Sequence, residues 1–510
     1  MRTPSKTRRS ICASLLSRVS SLHLFAVVFL LAGCTVGPDY EQPQTDVPDV
    51  WKYKVVSEME DDESPLEGWW LNLNDPVVPK LIDQALEANY DLKIAVQRVQ
   101  ETRALLGVAT GRYYPELDLD ARYQKTELSE NGVTPVPPGL DPRLGIYDLN
   151  VGLAWEIDVF GRLRRSAEAA RATLEASIED YRDVLVILVA DVAANYVDVR
   201  TFQRRLEYAK ANVEAQRNTL QLTQDRFDAG LTSLRDVTQA ESNLANTEST
   251  IPALEALLEA SINRLAVLLG KAPGEVDYLL QEVGEIPKPD DAITMGIPAD
   301  IIRRRPDIRA AERQLAAQTA RIGVATADLY PTFTLAGVIG LQSTSSGNLF
   351  DSESGTWSIL PGIRWPWFTG GRIQNQIRAE KARTQQTADI YQQTVLLALE
   401  EVETALVTWQ REKVRRDRLM EAVDATERTV ALVNTQYLSG LTDFQTYLDT
   451  QRSLLEQQDN LATSEGRVVQ SLIALNRALG GGWKMPDPES TPKELAVEIV
   501  AGEDISGRQP

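Results

Sequence analysis

The chain has 510 residues, of which 43% are hydrophobic and 25% are charged, a composition typical of folded proteins and not of disordered ones. Its formal net charge of −20 argues against nucleic-acid binding, which requires a basic surface. Because it has one histidine, His23, and two cysteines, Cys12 and Cys34, it offers little for Cys/His metal sites or for nucleophilic triads.

The first 33 residues have the pattern of a signal peptide. Five basic residues precede the apolar run LHLFAVVFLL, and small residues precede Cys34. Leu31-Ala32-Gly33-Cys34 resembles the bacterial lipobox, in which the cysteine is acylated and becomes the new N-terminus. Cleavage there removes His23 and Cys12 and moves the net charge from −20 to −25, so that no intrachain disulfide can form. A plain signal peptide or an uncleaved anchor is the alternative, although the apolar run is short for a membrane-spanning helix.

An internal duplication organises the remaining chain. Gly107-Val108-Ala109-Thr110 and the following Tyr114-Pro115 recur 216 residues later as Gly323-Val324-Ala325-Thr326 and Tyr330-Pro331. The offset then becomes 210, which pairs Trp155 with Trp365 and Gly230-Leu231 with Gly440-Leu441. We therefore predict an N-terminal segment at 34–75, repeats at 76–290 and 291–483, and an acidic C-terminal tail at 484–510.

Each repeat begins with two segments that alternate between apolar and polar residues, the pattern of β-strands. We predict strands at about 114–124 and 147–157 in the first repeat, and at about 331–342 and 356–366 in the second. Pro361 interrupts the last of them. Apolar-out strands of about ten residues with terminal Trp and Tyr match the wall of a transmembrane β-barrel. A half-buried soluble sheet explains the strands equally well.

Each repeat continues with 68 residues that contain neither Gly nor Pro, at 162–229 and 372–439. Both stretches are rich in helix-forming residues, and a helix of that length could reach about 100 Å. Each stops at Gly230 or Gly440, and a second helix, 236–269 or 444–479, then returns. Pro252 is a candidate kink in the first return. The predicted fold class is α+β, with long antiparallel helical hairpins and four strands per chain.

Four strands cannot close a membrane barrel, and lipid tolerates no open sheet edge. We therefore expect the chain to oligomerise: two copies give eight strands and a filled interior, whereas three give twelve strands and a lumen. The helices would then extend the cylinder as a periplasmic α-barrel. A hollow tube in that position is a conduit.

Three motifs make the chain similar to the TolC-like outer-membrane factors, in particular the NodT-type efflux lipoproteins. They are Cys34-Thr35-Val36-Gly37-Pro38-Asp39-Tyr40, Trp155-Glu156-Ile157-Asp158-Val159-Phe160-Gly161, and Arg304-Arg305-Pro306-Asp307-Ile308 continuing to Tyr330-Pro331. The resemblance implies a homotrimer with a twelve-stranded barrel in the outer membrane, lipid on Cys34, a periplasmic adaptor and an inner-membrane pump, expected to be a proton-driven resistance-nodulation-division pump. Thr35 after the cysteine points to the outer membrane by the same family rule.

The resemblance also implies site residues in the turns between the long helices. Asp236 and Asp449 match acidic positions that line the periplasmic aperture, where three copies of each would favour cations. Thr442 occupies a position that is basic in some relatives, which puts a latch salt bridge in doubt. The alternative for both aspartates is helix capping or solvated surface. Gly230-Leu231 and Gly440-Leu441 are the expected adaptor contacts.

The leading functional prediction is a passive exit channel for small toxic compounds: drugs and, as a second option, metals. We expect it to be no enzyme and to need no cofactor or metal. Alternatives are the exit of a type I protein-secretion system and a lipid-anchored coiled-coil tether. A tether needs no alternating strands, and a carboxylate-only hydrolase has no supporting motif.

Overall fold

The computed structural model describes residues 35–45, 47–53, 66–129, 141–280, 282–289 and 304–483. The predicted signal peptide at 1–33, the predicted lipid site Cys34 and the predicted tail at 484–510 lie outside these residues. Within the described part, the chain forms two compact units. The sheet unit combines residues up to Pro43 with Gln100–Ala176 and Glu312–Ile390, and the helical unit combines Gln44–Val99, Ser177–Ala311 and the chain from Tyr391 onward.

The sheet unit contains one four-stranded antiparallel sheet in the order β1-β2-β3-β4. The strands are β1 (Glu116–Glu127), β2 (Arg143–Ile157), β3 (Thr332–Ser343) and β4 (Gly355–Arg364). The two repeats meet where β2 pairs with β3, with Val151 opposite Ile339. Each repeat thus contributes one hairpin to a continuous sheet.

The register places the predicted apolar residues on one face of the sheet. Leu119 pairs with Val151, Val151 with Ile339, and Ile339 with Trp357, so the four side chains lie in one row across the strands. Much of this face is exposed: Leu119 and Trp357 are each 73% exposed. An uncovered apolar sheet face of this size is typical of a surface that contacts lipid or another chain.

The strands differ from the sequence prediction at their ends. β1 continues to Glu127 and β2 begins at Arg143, so the hairpin extends beyond the predicted limits of 124 and 147. Pro361 does not interrupt β4; it pairs with Leu335 inside the strand. Proline is tolerated there because β4 lies at the edge of the sheet, where one side of its backbone has no partner strand in the part of the chain that the structure describes.

The helices before and after the strands are α1 (Val77–Ala88), α2 (Tyr90–Gly111), α3 (Arg162–Asp228), α4 (Leu234–Glu248), α5 (Thr250–Leu268), the single turn α6 (Asp277–Leu280), α7 (Pro306–Ala327), α8 (Arg372–Leu438) and α9 (Phe444–Ala478). The long helices α3 and α8 each have 67 residues. In the helical unit, one apolar core joins α1, α3 and α5 around Ile82, Tyr196 and Leu265. None of the helices in the described ranges is both long and apolar enough to cross a membrane.

The two return helices differ. α9 is continuous, whereas the first return is divided into α4 and α5 at Ser249, close to the candidate kink at Pro252, so the predicted range 236–269 contains two helices and not one. Pro252 explains the break, because a proline ring lacks the N–H that would bond to the carbonyl four residues earlier, at Glu248, and clashes with it. The equivalent residue of the second repeat is Ala462, which imposes no such break.

Arg305, in the third motif, caps the end of α9. Its guanidinium donates to the carbonyl of Ala478 at 2.9 Å and pairs with Asp307 and Glu401, both at 2.7 Å. A positive charge at a helix C-terminus is favourable because the unpaired carbonyls carry partial negative charge. The motif therefore joins the start of α7 to the end of α9 within the helical unit.

Candidate functional site

Two similar turns end the long helices α3 and α8. Gly230 and Gly440 have φ angles of 70° and 72°, in the left-handed region that favours glycine. The N–H of Leu231 donates to the carbonyl of Arg226 at 2.8 Å, and that of Leu441 donates to Gln436 at 2.8 Å. These are Schellman-type helix ends. An added Cβ at either glycine would meet nothing within 4 Å, so the backbone angle, and not crowding, requires glycine.

The residue after each glycine is a leucine whose side chain is exposed to solvent. Leu231 is 69% exposed and Leu441 is 79% exposed. Exposure of these leucine side chains to water is unfavourable. A protein partner that buries them would therefore gain hydrophobic free energy on binding. The predicted adaptor-contact residues, Gly230-Leu231 and Gly440-Leu441, therefore form two exposed turns at the ends of α3 and α8, which we call the apolar tips.

Asp236, a predicted aperture residue, is built into the first turn of α4. Its carboxylate accepts from the Thr232 hydroxyl at 2.6 Å and from the Ser233 N–H at 3.3 Å, and Arg235 lies 3.4 Å away. Partial burial alone would raise its pKa, but these hydrogen bonds together hold the pKa below its usual value. The geometry matches the capping alternative for this residue.

Asp449, the other predicted aperture residue, lies on α9 and is 59% exposed. Gln445 donates to its carboxylate at 2.8 Å, and Arg452 lies 3.5 Å away on the same helix. Both neighbours belong to its own helix, and Arg452 also donates to the side-chain oxygen of Asn243 on α4 at 2.6 Å, so Asp449 lies beside a contact between α4 and α9. Of the two predicted aperture acids, Asp449 has the more solvent-exposed carboxylate.

Asp443 caps α9 and was not among the predicted site residues. Its carboxylate accepts from the Thr446 N–H at 2.7 Å, and this bond lowers its pKa. The signal was present in the sequence, because Asp before a helical pattern is a common N-cap. Together with Asp236 and Asp449 it gives the turns three acidic residues.

An aromatic cluster supports the second turn. Tyr437 and Tyr447 stack with 5.5 Å between ring centroids, and Phe444 lies 5.5 Å from Tyr437. Arg226 of α3 lies 4.7 Å over the Tyr437 ring and donates to its carbonyl at 3.2 Å. The cluster therefore fixes the end of α8 against the end of α3, which positions both turns.

A second feature, the Arg165 clasp, holds the segment that follows Cys34. Arg165 of α3 donates to the carbonyl of Val36 at 3.1 Å and pairs with Asp39 at 2.7 Å and with Glu168 at 2.8 Å. Its side chain is only 4% exposed. The first motif thus has a structural role: it docks residues Val36 to Asp39 onto α3.

Glycines allow this docking. Gly37, with φ of 94°, touches Gly323, and an added Cβ on Gly37 would lie 2.4 Å from the Gly323 Cα. Gly161 is similarly crowded, since its Cβ would lie 2.8 Å from the Thr35 side chain. Residues from all three motifs therefore meet in the sheet unit, which spacing in the sequence did not predict.

Comparison with known proteins identifies the family. The outer membrane efflux protein family matches residues 81–271 and 297–481, once for each repeat, which confirms the duplication. Nodulation protein T of Rhizobium leguminosarum bv. trifolii is 32% identical over 89% of the chain and 96% of that protein. The solvent efflux pump outer membrane protein SrpC of Pseudomonas putida is 30% identical over 92% of the chain and 99% of that protein.

The probable outer membrane lipoprotein SilC of Salmonella typhimurium is 30% identical over 90% of the chain and 98% of that protein. Among solved structures, the outer-membrane channel OprN has a TM-score of 0.82 at 35% identity, covering 88% of the chain and 100% of that structure. The matches confirm the predicted α+β channel fold and favour efflux over the secretion and tether alternatives. The chain belongs to the outer membrane efflux protein family and is the outer-membrane exit channel of an efflux system.

Proposed function

We propose that this channel is the passive outer end of a tripartite system that exports small toxic compounds, drugs above all and metals as a second cargo class. An inner-membrane pump, proton-driven and of the resistance-nodulation-division type, supplies the energy, and a periplasmic adaptor joins pump and channel. The relative named for solvent efflux supports a cargo of small molecules. In this proposal the chain itself catalyses no reaction and needs no cofactor.

The exposed apolar sheet with two unpaired edges is the single observation that best supports the conduit. Each chain supplies four strands, and the outer edges of β1 and β4 have no strand partner among the described residues. Because lipid does not tolerate unpaired backbone groups, the edges must pair with other copies. Three copies would give a twelve-stranded barrel with a lumen, and the channel would be a homotrimer.

We propose that Cys34 carries the covalent lipid that anchors the mature N-terminus. The Arg165 clasp supports this, because it holds Val36–Asp39, the residues that follow Cys34 closely in the sequence, on α3 within the sheet unit. The relative named as an outer membrane lipoprotein is consistent with such an anchor.

We propose that the apolar tips, Gly230-Leu231 and Gly440-Leu441, bind the adaptor. Both leucines are exposed, and both turns are held rigid by Schellman-type bonds, so little conformational entropy is lost on binding. Replacing both leucines with Ser should abolish drug resistance and adaptor co-purification while leaving the amount of trimer in the outer membrane unchanged.

The partners can be identified by crosslinking in cells, affinity purification of the full-length protein and mass spectrometry. Recovery of a periplasmic adaptor with a proton-driven pump is the expected result. Recovery of an ATP-driven exporter instead would contradict the proposed pump, and recovery of neither class would contradict the tripartite assembly.

For the aperture, we propose that rings of Asp236 and Asp449 select for cations. Asp449→Ala should lower cation selectivity more than Asp236→Ala, because the Asp449 carboxylate is more exposed. The measurement is the reversal potential of purified channels in a planar bilayer under a salt gradient. Glu421→Ala, at an exposed acid of α8 paired with Arg418, is the control. An unchanged reversal potential for Asp449→Ala would contradict the proposed role of Asp449 in cation selection.

A further inference from the structure

The helical unit contains a cavity of about 1200 Å³ that conduction does not use in the proposal above. Its walls come from α3, α5, α8 and α9, together with Asp277, Leu280 and residues 283–289. One part of the lining is apolar and includes Leu258, Ile262, Met420, Val468 and Val469. The volume is that of a cavity able to hold a drug-sized molecule.

Two lining residues have buried polar atoms without a partner among the described residues. Trp409 is 2% exposed, and its indole Nε1 has no hydrogen-bond acceptor. Asp277 has a buried carboxylate oxygen, Oδ1, with no donor. An unsatisfied buried polar atom costs about 1–3 kcal/mol, so a ligand that satisfies one recovers that free energy.

The charges of the lining are unbalanced. Each of its four basic side chains has an acidic partner: Arg204 with Glu207, Lys210 with Glu255, Lys288 with Glu285 and Arg416 with Asp417. Glu465, in contrast, has no ion-pair partner in the part of the chain that the structure describes. Burial raises its pKa, although nearby Arg204, Lys288 and Arg416 oppose the rise.

We propose that this cavity binds an amphipathic organic cation. The apolar body of the ligand packs against Leu258, Ile262 and Met420, its positive charge lies near Glu465, and an oxygen of the ligand accepts from the Trp409 indole. An amphipathic anion would be disfavoured, because the basic side chains already have acidic partners whereas Glu465 does not. The site is separate from the aperture acids and does not depend on which pump supplies the channel.

The test is binding of rhodamine 6G, an amphipathic cation with an ester carbonyl, to full-length protein in lipid nanodiscs. Fluorescence anisotropy is measured against empty nanodiscs, which correct for partition of the dye into lipid. Wild-type protein should bind saturably, and Glu465→Gln should weaken binding at least about tenfold, the loss expected for one charge-assisted contact. Glu456→Gln, an exposed acid of α9 outside the cavity, should bind as wild type. Equal affinity of these two variants, or no saturable binding, would overturn the proposal.

A second variant and a second dye separate the contacts. Trp409→Phe keeps an aromatic ring but removes the N–H, and should weaken rhodamine 6G about fivefold. Trp367→Phe, at an exposed tryptophan, is its control. Nile red, which is uncharged, should lose no affinity with Glu465→Gln; an equal loss for both dyes would show altered packing and overturn the role of charge. Single-channel conductance of Glu465→Gln reports separately on the channel, so failure of this site leaves the conduit proposal standing.

Discussion

The two repeats have the same backbone at their strand–helix junctions but different surroundings. Gly161 and Gly371, which are equivalent at the offset of 210, have φ angles of 81° and 82°. Around Gly161 the N-terminal segment is docked by Arg165, whereas Asn375 stands at the equivalent position beside Gly371. The two repeats thus share the backbone turn at Gly161 and Gly371. Among the described residues, only the turn at Gly161 is packed against the N-terminal segment, which has no counterpart in the second repeat.

The helical turns show the same relationship. Both end at a left-handed glycine, yet α4 begins with the carboxylate of Asp236, whereas α9 begins with that of Asp443, three residues earlier in the repeat frame. The unpaired N–H groups at a helix start require an acceptor, but several positions can supply it. Equivalent structure therefore does not imply equivalent residues, which matters when a role is transferred from one turn to the other.

The largest expected effect distinguishes the two junctions. Gly161→Ala and Gly371→Ala share the cost of a left-handed alanine, about 1 kcal/mol. Gly161→Ala should lose about 2 kcal/mol more, because its Cβ would lie 2.8 Å from the Thr35 side chain and 2.9 Å from the Thr35 Cα. The difference is measured as the change in unfolding temperature of each purified variant. Limited proteolysis measures separately how readily the N-terminal segment is released. Equal destabilisation would mean that the docked segment does not restrain this junction.

The next effect concerns Asp183 of α3, whose equivalent in α8 is Gln393. Burial, together with Asp307, raises the pKa of Asp183 to about 6, although Arg305 and Arg477 act in the opposite direction. A carboxyl whose folded pKa lies above its unfolded value destabilises the fold once it ionises. Stability is therefore lost as the pH rises from about 4 through about 6.

Asp183→Asn should accordingly stabilise the protein by on the order of 2 kcal/mol at neutral pH and by almost nothing below pH ~4. The measurement is the unfolding temperature as a function of pH, and Glu241→Gln, at an exposed acid of α4, is the control. A gain that does not vary with pH would show that packing, and not ionisation, accounts for it.

The smallest effect compares the two turns. Asp236→Ala should cost about 1 kcal/mol and increase amide exchange in the first turn of α4, since the Ser233 N–H loses its acceptor. Because hydrogen bonding lowers the pKa of Asp236, its contribution is present at neutral pH and disappears only as the pH falls through that lowered value. Asp449→Ala should leave exchange there unchanged. Similar exchange in the two variants would contradict the capping role.

The sequence alone determined the duplication, the four strands, the two long helices to within one residue, and the glycines at which those helices end. These features were predictable because they depend on local rules: alternation for strands, absence of Gly and Pro for helices, and positive φ for glycine. The division of the first return helix was only partly foreseen, since Pro252 indicated a kink but the break itself lies at Ser249.

Only the tertiary structure decided which distant residues meet. Arg165 has no sequence pattern to distinguish it, yet it binds the chain at Val36 and Asp39, more than 120 residues earlier. The contact of Arg305 with the end of α9, and the cavity that Trp409 and Glu465 line, likewise join residues that are far apart in the chain. Burial and ion pairing depend on the packing of helices far apart in the chain, and periodicity within one helix carries no information about its partner.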